Sequence, residues 1–172
     1  MIKTVVWIVI VLAALITTLG FAAGHKSAGV PAPVAKNGIL PPCPNKPNCV
    51  STEVQPDSAA YIPPIAITKA DVLNDDSNHD SNHGSSNAQK HLLATAQAQL
   101  ESLGGRVTGV DGNTIKAEFQ SRLFRFIDDV LLQIDAKENV YRIRSSSRVG
   151  HSDAGANRKR VEAIRQLVNK SN

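Results

Sequence analysis

The chain has 172 residues, of which 42% are apolar, 20% charged and 4% aromatic, and its formal net charge is +4. This size and composition provide apolar surface for one packed domain, which excludes wholesale disorder. Two cysteines exclude a disulfide-dense scaffold. All of the arginines lie after residue 105, so that part of the chain is predicted to carry the forked, paired cationic contacts.

The amino-terminal segment is predicted to cross a membrane. Residues 4–23 carry no charge, and twenty helical residues span about 30 Å, the thickness of a hydrocarbon core. Lys3 and the amino terminus precede this run, so we expect them in the cytoplasm and the rest of the chain outside it. Small residues at 22–24 leave a cleaved signal peptide as the alternative. We favour an uncleaved anchor over residues 1–24, because a cleaved signal usually has a shorter apolar stretch.

A spacer and a cysteine pair follow the apolar run. Residues 25–41 are rich in Pro, Ala and Gly and lack periodicity, so we predict a tether that holds a domain away from the membrane. Cys43 and Cys49 have five residues between them and prolines around them, and an oxidising compartment favours a disulfide. Free thiols and a metal or redox role are the alternatives, although structural zinc takes four ligands and a redox pair is usually Cys-x-x-Cys.

Residues 42–172 are predicted to form a single α+β domain. Leucines at helical spacing before Gly104 predict a helix, and alternation on both sides of Asp111-Gly112-Asn113 predicts a hairpin. The element order indicates a four- or five-stranded antiparallel sheet covered on one face by two helices, after one transmembrane helix. The predicted strands are 65–68, 106–110, 114–121, 124–134 and 140–149, and the predicted helices are 88–103 and 157–169.

Residues 74–90 form a polar insertion that contains the tetrapeptide Asp-Ser-Asn-His twice. Its first part has no apolar residue and cannot pack, so we predict a surface loop. His79 and His83, with Asp76 and Asp80 nearby, raise a metal site as the alternative. Asp-Ser-Asn repeats are poor helix formers, however, and would not hold both imidazoles on one face. We predict neither a metal site nor a cofactor.

One carboxylate in the strand predicted at 124–134 points toward the core. The even positions of this strand are apolar except for Asp128, and a lone buried carboxylate is costly unless a bulge turns it outward or a partner meets it. A hairpin register with Asp135 opposite Val140 places Asp128 opposite Ser147. We therefore expect Asp128 to accept a hydrogen bond from the hydroxyl of Ser147 or of Ser145.

The next residue, Asp129, points to the other face in the same register. Ser146 lies directly opposite Asp129, and long side chains reach across the diagonals of a sheet. We therefore predict an arginine clamp around this carboxylate. The arginines are Arg144 and Arg148 on the diagonals, with Arg125 and Arg142 extending the same polar face.

The chain enters the last helix through a polar loop. Ser152, Asp153 or Asn157 can cap the start of that helix. Arg158 and Arg160 lie in its first turn, where cations oppose the helix dipole, so we expect them to meet the two aspartates or an external anion. Free amides at a helix start beside arginines are a ready anion site.

Three motifs together resemble the domain-of-unknown-function 1499 family. They are CPNKPNCVS at 43–51, RFIDDV at 125–130 and RIRSSSRVGHSDAGANRKRVEAIR at 142–165, and the resemblance covers residues 42–168. Members of that family occur in bacteria, often behind an amino-terminal apolar segment, and in plastids. The resemblance implies no particular reaction, and the insertion at 74–90 departs from the family pattern.

We predict a non-enzymatic binding or structural module of the cell envelope, with an anion-binding or ion-pair site built from Arg, Asp and Ser. The domain is expected in the periplasm, anchored in the inner membrane through residues 4–23, or secreted to the periplasm if the segment is cleaved. The expected ligand is an anionic small molecule or a lipid headgroup. The candidate ligand-binding residues are Arg125, Asp128, Asp129, Arg144, Ser146, Arg148, Ser152, Asp153, Asn157, Arg158 and Arg160.

A hydrolase-like enzyme is the alternative class of function, and nucleic-acid binding is disfavoured. A hydrolase-like enzyme would use His151 as acid or base, with Asp128 or Asp129 as its partner. No nucleophile elbow, phosphate loop or dinucleotide fingerprint accompanies that histidine. Nucleic acid is disfavoured as a partner, because aromatic residues are scarce and the domain is expected across a membrane from it.

Overall fold

The computed structural model describes residues 2–36, 38–67 and 84–170. The tandem tetrapeptide, with His79 and His83, lies outside these residues. The helices are α1 (Ile2–Ala28), α2 (Gly84–Ser102) and α3 (Ala156–Lys170). The strands are β1 (Cys49–Ser51), β2 (Ile65–Ala66), β3 (Arg106–Asp111), β4 (Thr114–Gln120), β5 (Ile127–Asp135) and β6 (Val140–Ser147).

The strands form one antiparallel sheet in the order β1-β6-β5-β4-β3, with β2 also paired to β6. The α+β class and the antiparallel sheet are confirmed, and β1 adds a strand that the sequence did not predict. The predicted hairpin register is confirmed as well. Asp135 lies opposite Val140, so Asp128 lies opposite Ser147 and Asp129 opposite Ser146.

Two helices cover one face of this sheet, as predicted. Alternation along β4, β5 and β6 places their apolar residues on the same face, where α2 and α3 pack. This face carries the main core. Its strand residues include Ile115, Ala117, Phe119, Val130, Leu132 and Ile143, and its helix residues include Leu92, Ala96, Leu100, Val161, Ile164 and Val168.

Helix α2 is longer than the sequence indicated. It begins at Gly84 instead of residue 88, so the last seven residues of the segment read as a polar insertion, 84–90, are helical. It ends at Ser102, where Gly104 takes a φ of 86° and the amide of Gly105 donates to the carbonyl of Leu100 at 3.0 Å. A residue with a left-handed backbone is the usual way to close a helix, and glycine adopts it without strain.

The segment expected to be a free tether is partly helical and partly packed. Helix α1 extends through Ala28, which takes up the first residues of the range 25–41. Leu40 is only 2% exposed, and the side-chain amide of Gln133 on β5 donates to the carbonyl of Gly38 at 2.9 Å. The second face of the sheet also presents buried apolar side chains, such as Leu131. The chain before β1 lies on this face because that apolar surface needs a cover.

Helix α1 leaves the domain from one end of β5. Ser27 is fully buried, and its hydroxyl accepts a hydrogen bond from the amide of Ile127 at 2.9 Å. Residues 2–19 of the helix are exposed. Helix α1 is long and apolar enough to cross a membrane, a property that membrane anchors and signal sequences share.

Candidate functional site

The second face of the sheet holds a buried cluster around Arg148. Its Nε lies 2.8 Å from Oδ2 of Asp129 and its Nη2 lies 2.7 Å from Oδ1, a forked contact in which two donors meet one carboxylate. The same guanidinium pairs with Glu118, which lies opposite Asp129 in the register of β4 and β5. Arg106 pairs with Glu118 from the exposed side. The predicted contact between Asp129 and an arginine is therefore present, and Glu118 shares it.

Burial and the arginine act in opposite directions on the acids of this cluster. Burial raises the pKa of Asp129 above its ordinary value, against the hydrogen bonds from Arg148. Burial also acts to raise the pKa of Glu118, but Arg148 and Arg106 outweigh it and hold that pKa below its ordinary value. Hydrogen bonding to Asp129 and Glu118 raises the pKa of Arg148. The guanidinium of Arg148 is therefore charged and is paired with two carboxylates inside the protein.

Arg144 does not clamp Asp129 as predicted. Its Nη1 donates to the hydroxyl of Ser146 at 2.5 Å, and its Nη2 lies 3.3 Å from the carbonyl of Pro42. Its Nε is buried and has no hydrogen-bond partner among the described residues. Burial lowers the pKa of Arg144, and the charge of Asp129 acts in the opposite direction. The reason for the difference is that Ser146 on β6 accepts from Nη1 of Arg144, and the segment before β1, which covers this face, accepts from Nη2.

Asp128 meets Arg160, one of the two arginines expected to reach the aspartates, and not the predicted serines. Nη2 of Arg160 on α3 lies 2.6 Å from Oδ2 of Asp128, and its guanidinium stacks over Phe119 with 4.7 Å to the ring centroid. The hydroxyls of Ser145 and Ser147 contact Asn157. The carboxylate thus points toward the core face, as the alternation predicted, and α3 supplies its counter-charge.

Asn157 is the most connected polar residue of this region and is 1% exposed. Its Oδ1 accepts from Ser145 and from Nη1 of Arg160, both at 2.6 Å. Its Nδ2 lies within 3.1 Å of the carbonyl of Asn48 and of Oγ of Ser147. Asn157 therefore joins β1, β6 and α3 through hydrogen bonds inside the core.

The amides at the start of α3 are not free, which corrects the expectation of an anion site made of backbone amides. Oδ1 of Asp153 accepts from the amide of Gly155 at 3.0 Å, and Oδ2 accepts from the amide of Asn157 at 2.7 Å. Burial acts to raise the pKa of Asp153, but these hydrogen bonds outweigh it and lower that pKa. Ser152 stays exposed and only accepts from the amide of Ala154. Asp153 is therefore the cap among the three candidates.

The remaining predicted arginines lie outside both aspartate contacts. Arg158 donates to the backbone carbonyls of Ala59 at 2.7 Å and Tyr61 at 2.9 Å, and so ties α3 to the loop after β1. Arg125 is exposed in the turn between β4 and β5, with a φ of 59°. Arg142 pairs with two other acids, Asp135 and Glu53, at the far end of the sheet.

His151 is exposed and forms no ion pair with Asp128 or Asp129 among the described residues. Both aspartates are instead held by arginines, one on each face of the sheet. The histidine–aspartate pair that a hydrolase-like mechanism would need is therefore not formed, because an arginine already occupies the carboxylate of each aspartate.

The disulfide between Cys43 and Cys49 is present, with Cα atoms 5.7 Å apart. It closes a proline-containing loop immediately before β1, and Cys49 itself is buried. A structural disulfide is enough to account for the two cysteines, without a metal or redox role. The bond agrees with an oxidising compartment.

A cleft of about 790 Å³ lies between this disulfide loop, the loop at 54–60 and the start of α3. Its walls come from two of the three sequence motifs, which are almost a hundred residues apart in the chain. The basic groups that line it are Lys46, His151, Arg158 and Lys159, and the one acidic residue in the lining is Asp153.

The sequence did not reveal Glu118, Asn48 or the cleft. Glu118 could have been found from the sequence. It lies on the same polar face of β4 as Lys116 and Gln120, and in the pairing of β4 with β5 it is directly opposite Asp129. Asn48 had no such signal in the sequence. Its side chain donates to the carbonyl of Gly150 at 2.9 Å, a contact between segments more than a hundred residues apart.

The fold and the site define a small α+β domain behind an apolar helix, with a disulfide-closed loop and a buried arginine–carboxylate network. The chain belongs to the family of proteins of unknown function DUF1499, whose model matches residues 39–168. No curated protein and no solved structure matches the chain.

Proposed function

We propose that the protein is a membrane-anchored, extracytoplasmic binding module without catalytic activity, and that its ligand carries a phosphate or carboxylate group. The cleft between the disulfide loop and α3 is the ligand site. Asn157 holds two walls of the cleft together, because its Nδ2 donates to the carbonyl of Asn48 in the disulfide loop and to Asp153 before α3. Helix α1 serves as the anchor in this proposal.

The distribution of charge is the observation that carries this proposal. Arg148 and Arg160 are each bonded to a carboxylate inside the protein, so an outside anion would have to displace a buried acid. The basic residues of the cleft, in contrast, have no ion pair among the described residues. The carboxylate of Asp153 is already used by backbone amides.

The position of the basic groups supports the same assignment. Lys46 and Lys159 are exposed on opposite walls of the cleft, as is His151 near the start of α3. A concave site with several convergent cations favours an anion that reaches more than one of them. A soluble metabolite and a lipid headgroup share this chemistry.

Isothermal titration calorimetry of the full chain in nanodiscs tests the proposal. Glycerol 3-phosphate is titrated into protein in phosphatidylcholine nanodiscs, and the Lys159→Gln variant should bind about fivefold more weakly, a change of about 1 kcal/mol. Lys90→Gln, an exposed lysine on α2, is the matched control and should bind as the wild type does. Equal binding by Lys159→Gln and wild type would contradict the cleft as the site.

A second set of nanodiscs distinguishes the two sources of the anion. Phosphatidylglycerol in the same bilayer presents the headgroup beside the protein. If the headgroup is the ligand, these nanodiscs should abolish the heat of glycerol 3-phosphate binding. If the ligand is soluble, the titration should be unchanged. Absence of binding of phosphate or carboxylate compounds in both preparations would refute the binding function.

A further inference from the structure

The turn between β4 and β5, residues 121–126, packs directly against the end of α1. A β-carbon added at Gly20 would overlap the ring of Phe124, and one added at Gly24 would overlap its carbonyl oxygen. The two glycines therefore form a notch that admits the turn, and their lack of side chains is what permits the contact. One helical turn further on, Ser27 bonds Ile127 at the start of β5.

This contact sets the height of the turn relative to a bilayer. The predicted membrane span of α1 ends at Ala23, and Gly20 lies three residues before it, or about 5 Å along the helix. If α1 spans the membrane, the ring of Phe124 lies at the edge of the hydrocarbon core. The rest of the turn then lies at the level of the headgroups, where aromatic residues are enriched.

The outer side of the turn has the composition of a membrane contact. Leu123 is 64% exposed, which among the described residues after α1 is the largest exposure of a large apolar side chain except for Ile39. Arg122 and Arg125 flank it and are exposed, with no ion pair among the described residues. A large exposed apolar side chain between free cations is unusual on a surface that meets only water.

Hydrogen bonds hold the turn in one shape. The amide of Phe126 donates to the hydroxyl of Ser121 at 2.9 Å, and the amide of Ser121 donates to the carbonyl of Phe126 at 2.8 Å. The rings of Phe124 and Phe126 pack edge to face with centroids 6.0 Å apart. Leu123 is thus presented at the tip without a large loss of entropy on contact with a lipid surface.

We propose that this turn is a second membrane contact, seated in the outer headgroup layer beside α1. Leu123 inserts at the boundary between headgroups and acyl chains, and Arg122 and Arg125 bind lipid phosphates. Exposed Lys26 on α1 contributes another cation at the same level. The contact fixes the tilt of the domain on the bilayer. The inference rests on the proposed anchoring by α1.

Fluorescent labelling of single introduced cysteines tests the contact. Both native cysteines are joined in the disulfide, so an introduced cysteine is the one free thiol. Full-length Leu123→Cys protein carries an environment-sensitive dye in vesicles of phosphatidylcholine and phosphatidylglycerol that contain lipids brominated near the headgroup. We expect a blue-shifted emission and at least twofold quenching.

Two other positions serve as references. Ala14→Cys, in the middle of the apolar run, reports whether α1 spans the bilayer, and it is measured in matched vesicles whose lipids are brominated near the ends of the acyl chains. Lys137→Cys lies in the exposed turn at the opposite end of β5, about 30 Å away along nine strand residues, and should be neither shifted nor quenched. Quenching at 14 without quenching at 123 overturns the membrane contact and leaves the anchor intact. No quenching at 14 overturns the anchor itself. Equal quenching at 123 and 137 also overturns the inference, because the turn would then not be the specific contact.

A charge variant tests the role of the arginines. Reversal of both charges, Arg122→Glu with Arg125→Glu, should reduce the quenching at position 123 by half or more in the same vesicles. Reversal at Lys137, by Lys137→Glu, should leave it unchanged. Both positions are exposed, so the variants are expected to fold, which circular dichroism checks. Undiminished quenching in the double variant would show that the arginines do not bind the lipid phosphates.

Discussion

Arg148 and Asp129 form a forked ion pair on the covered second face of the sheet, with 2.8 Å from Nε to Oδ2 and 2.7 Å from Nη2 to Oδ1. The side chains are 5% and 4% exposed, and the pair joins the end of β6 to β5. Each charge would be expensive to bury alone, and loss of Arg148 would leave Asp129 without its counter-charge, whereas Arg148 also pairs with Glu118.

Replacing Arg148 with alanine should therefore lower the free energy of unfolding by about 3–5 kcal/mol, because Asp129 would remain buried without a counter-charge. Arg106→Ala is the matched control. Arg106 pairs with the same Glu118 as Arg148 does, but it is 74% exposed, and its loss should cost less than about 1 kcal/mol. Urea unfolding of the full chain in detergent measures both. Similar losses in the two variants would show that burial of the pair is not what matters.

Asn157→Ala should destabilise the protein by about 2–3 kcal/mol. The substitution removes the buried acceptor of the Ser145 hydroxyl and one of the two hydrogen bonds to the carbonyl of Asn48, which keeps only the bond from the amide of Ser147. Asn169→Ala, at an exposed position of the same helix, should change the unfolding free energy by no more than about 0.5 kcal/mol. Thermal unfolding followed by circular dichroism provides the measurement. An unchanged midpoint for Asn157→Ala would mean that water replaces the amide.

The disulfide is expected to stabilise the domain modestly. The bond between Cys43 and Cys49 closes a short loop, for which the loss of chain entropy corresponds to about 2 kcal/mol. Replacing both cysteines with serine should lower the unfolding midpoint and also weaken anion binding, because the loop forms one wall of the cleft. A reductant should have the same effect on the wild type and none on the double variant. Equal stability of the oxidised and reduced protein would contradict this expectation.

The stability of the protein should fall in acid partly through Asp153. The folded-state pKa of this carboxyl lies below the ordinary value of 3.8, so the ionised form stabilises the fold above that pH and the stabilisation is lost as the pH falls through the folded pKa. The unfolding midpoint of Asp153→Asn should be lower than that of the wild type at about pH 6, and the difference should shrink toward about pH 3. Asp57→Asn, at an exposed position, is the control. A difference that stays constant with pH would assign the effect to packing.

The glycine notch on α1 predicts a sharp position dependence. Gly24→Val should prevent the contact with the carbonyl of Phe124 and cost about 1–3 kcal/mol, because the backbone of the turn cannot move aside easily. Ala22→Val, two residues away and exposed, should be tolerated. Limited proteolysis of the full chain in detergent should cut Gly24→Val faster between α1 and β1. Identical digestion patterns would show that α1 and the domain are not docked.

The pairing of β5 with β6 could be predicted because it is local. A short turn joins the two strands, and the alternation of apolar residues fixes which side chains face each other. The apolar face of α3 and the membrane-length run of α1 are likewise properties of neighbouring residues. The direction of Asp128 toward the helix-covered face followed from the same alternation and is confirmed by its contact with Arg160 of α3.

The partners of the polar residues could not be predicted in the same way. The opposed helix dipole predicts that Arg158 and Arg160 meet the aspartates or an external anion, and Arg160 does reach Asp128, but Arg158 reaches the carbonyl of Ala59 across almost a hundred residues. β1 has only three residues and exists because β6 offers an open edge. The segment before β1 has no periodicity, yet it covers the second face and accepts one hydrogen bond from Arg144.

The sequence by itself determined the elements of this protein: an apolar helix, a cysteine pair, a hairpin-built sheet and two amphipathic helices. Each of these follows from spacing within a few residues, where the geometry of helix and strand leaves few choices. Only the tertiary structure decided which charges meet, where the cleft opens and which turn lies against α1. Those contacts join segments remote in the chain, and their selection depends on the packing of the whole core.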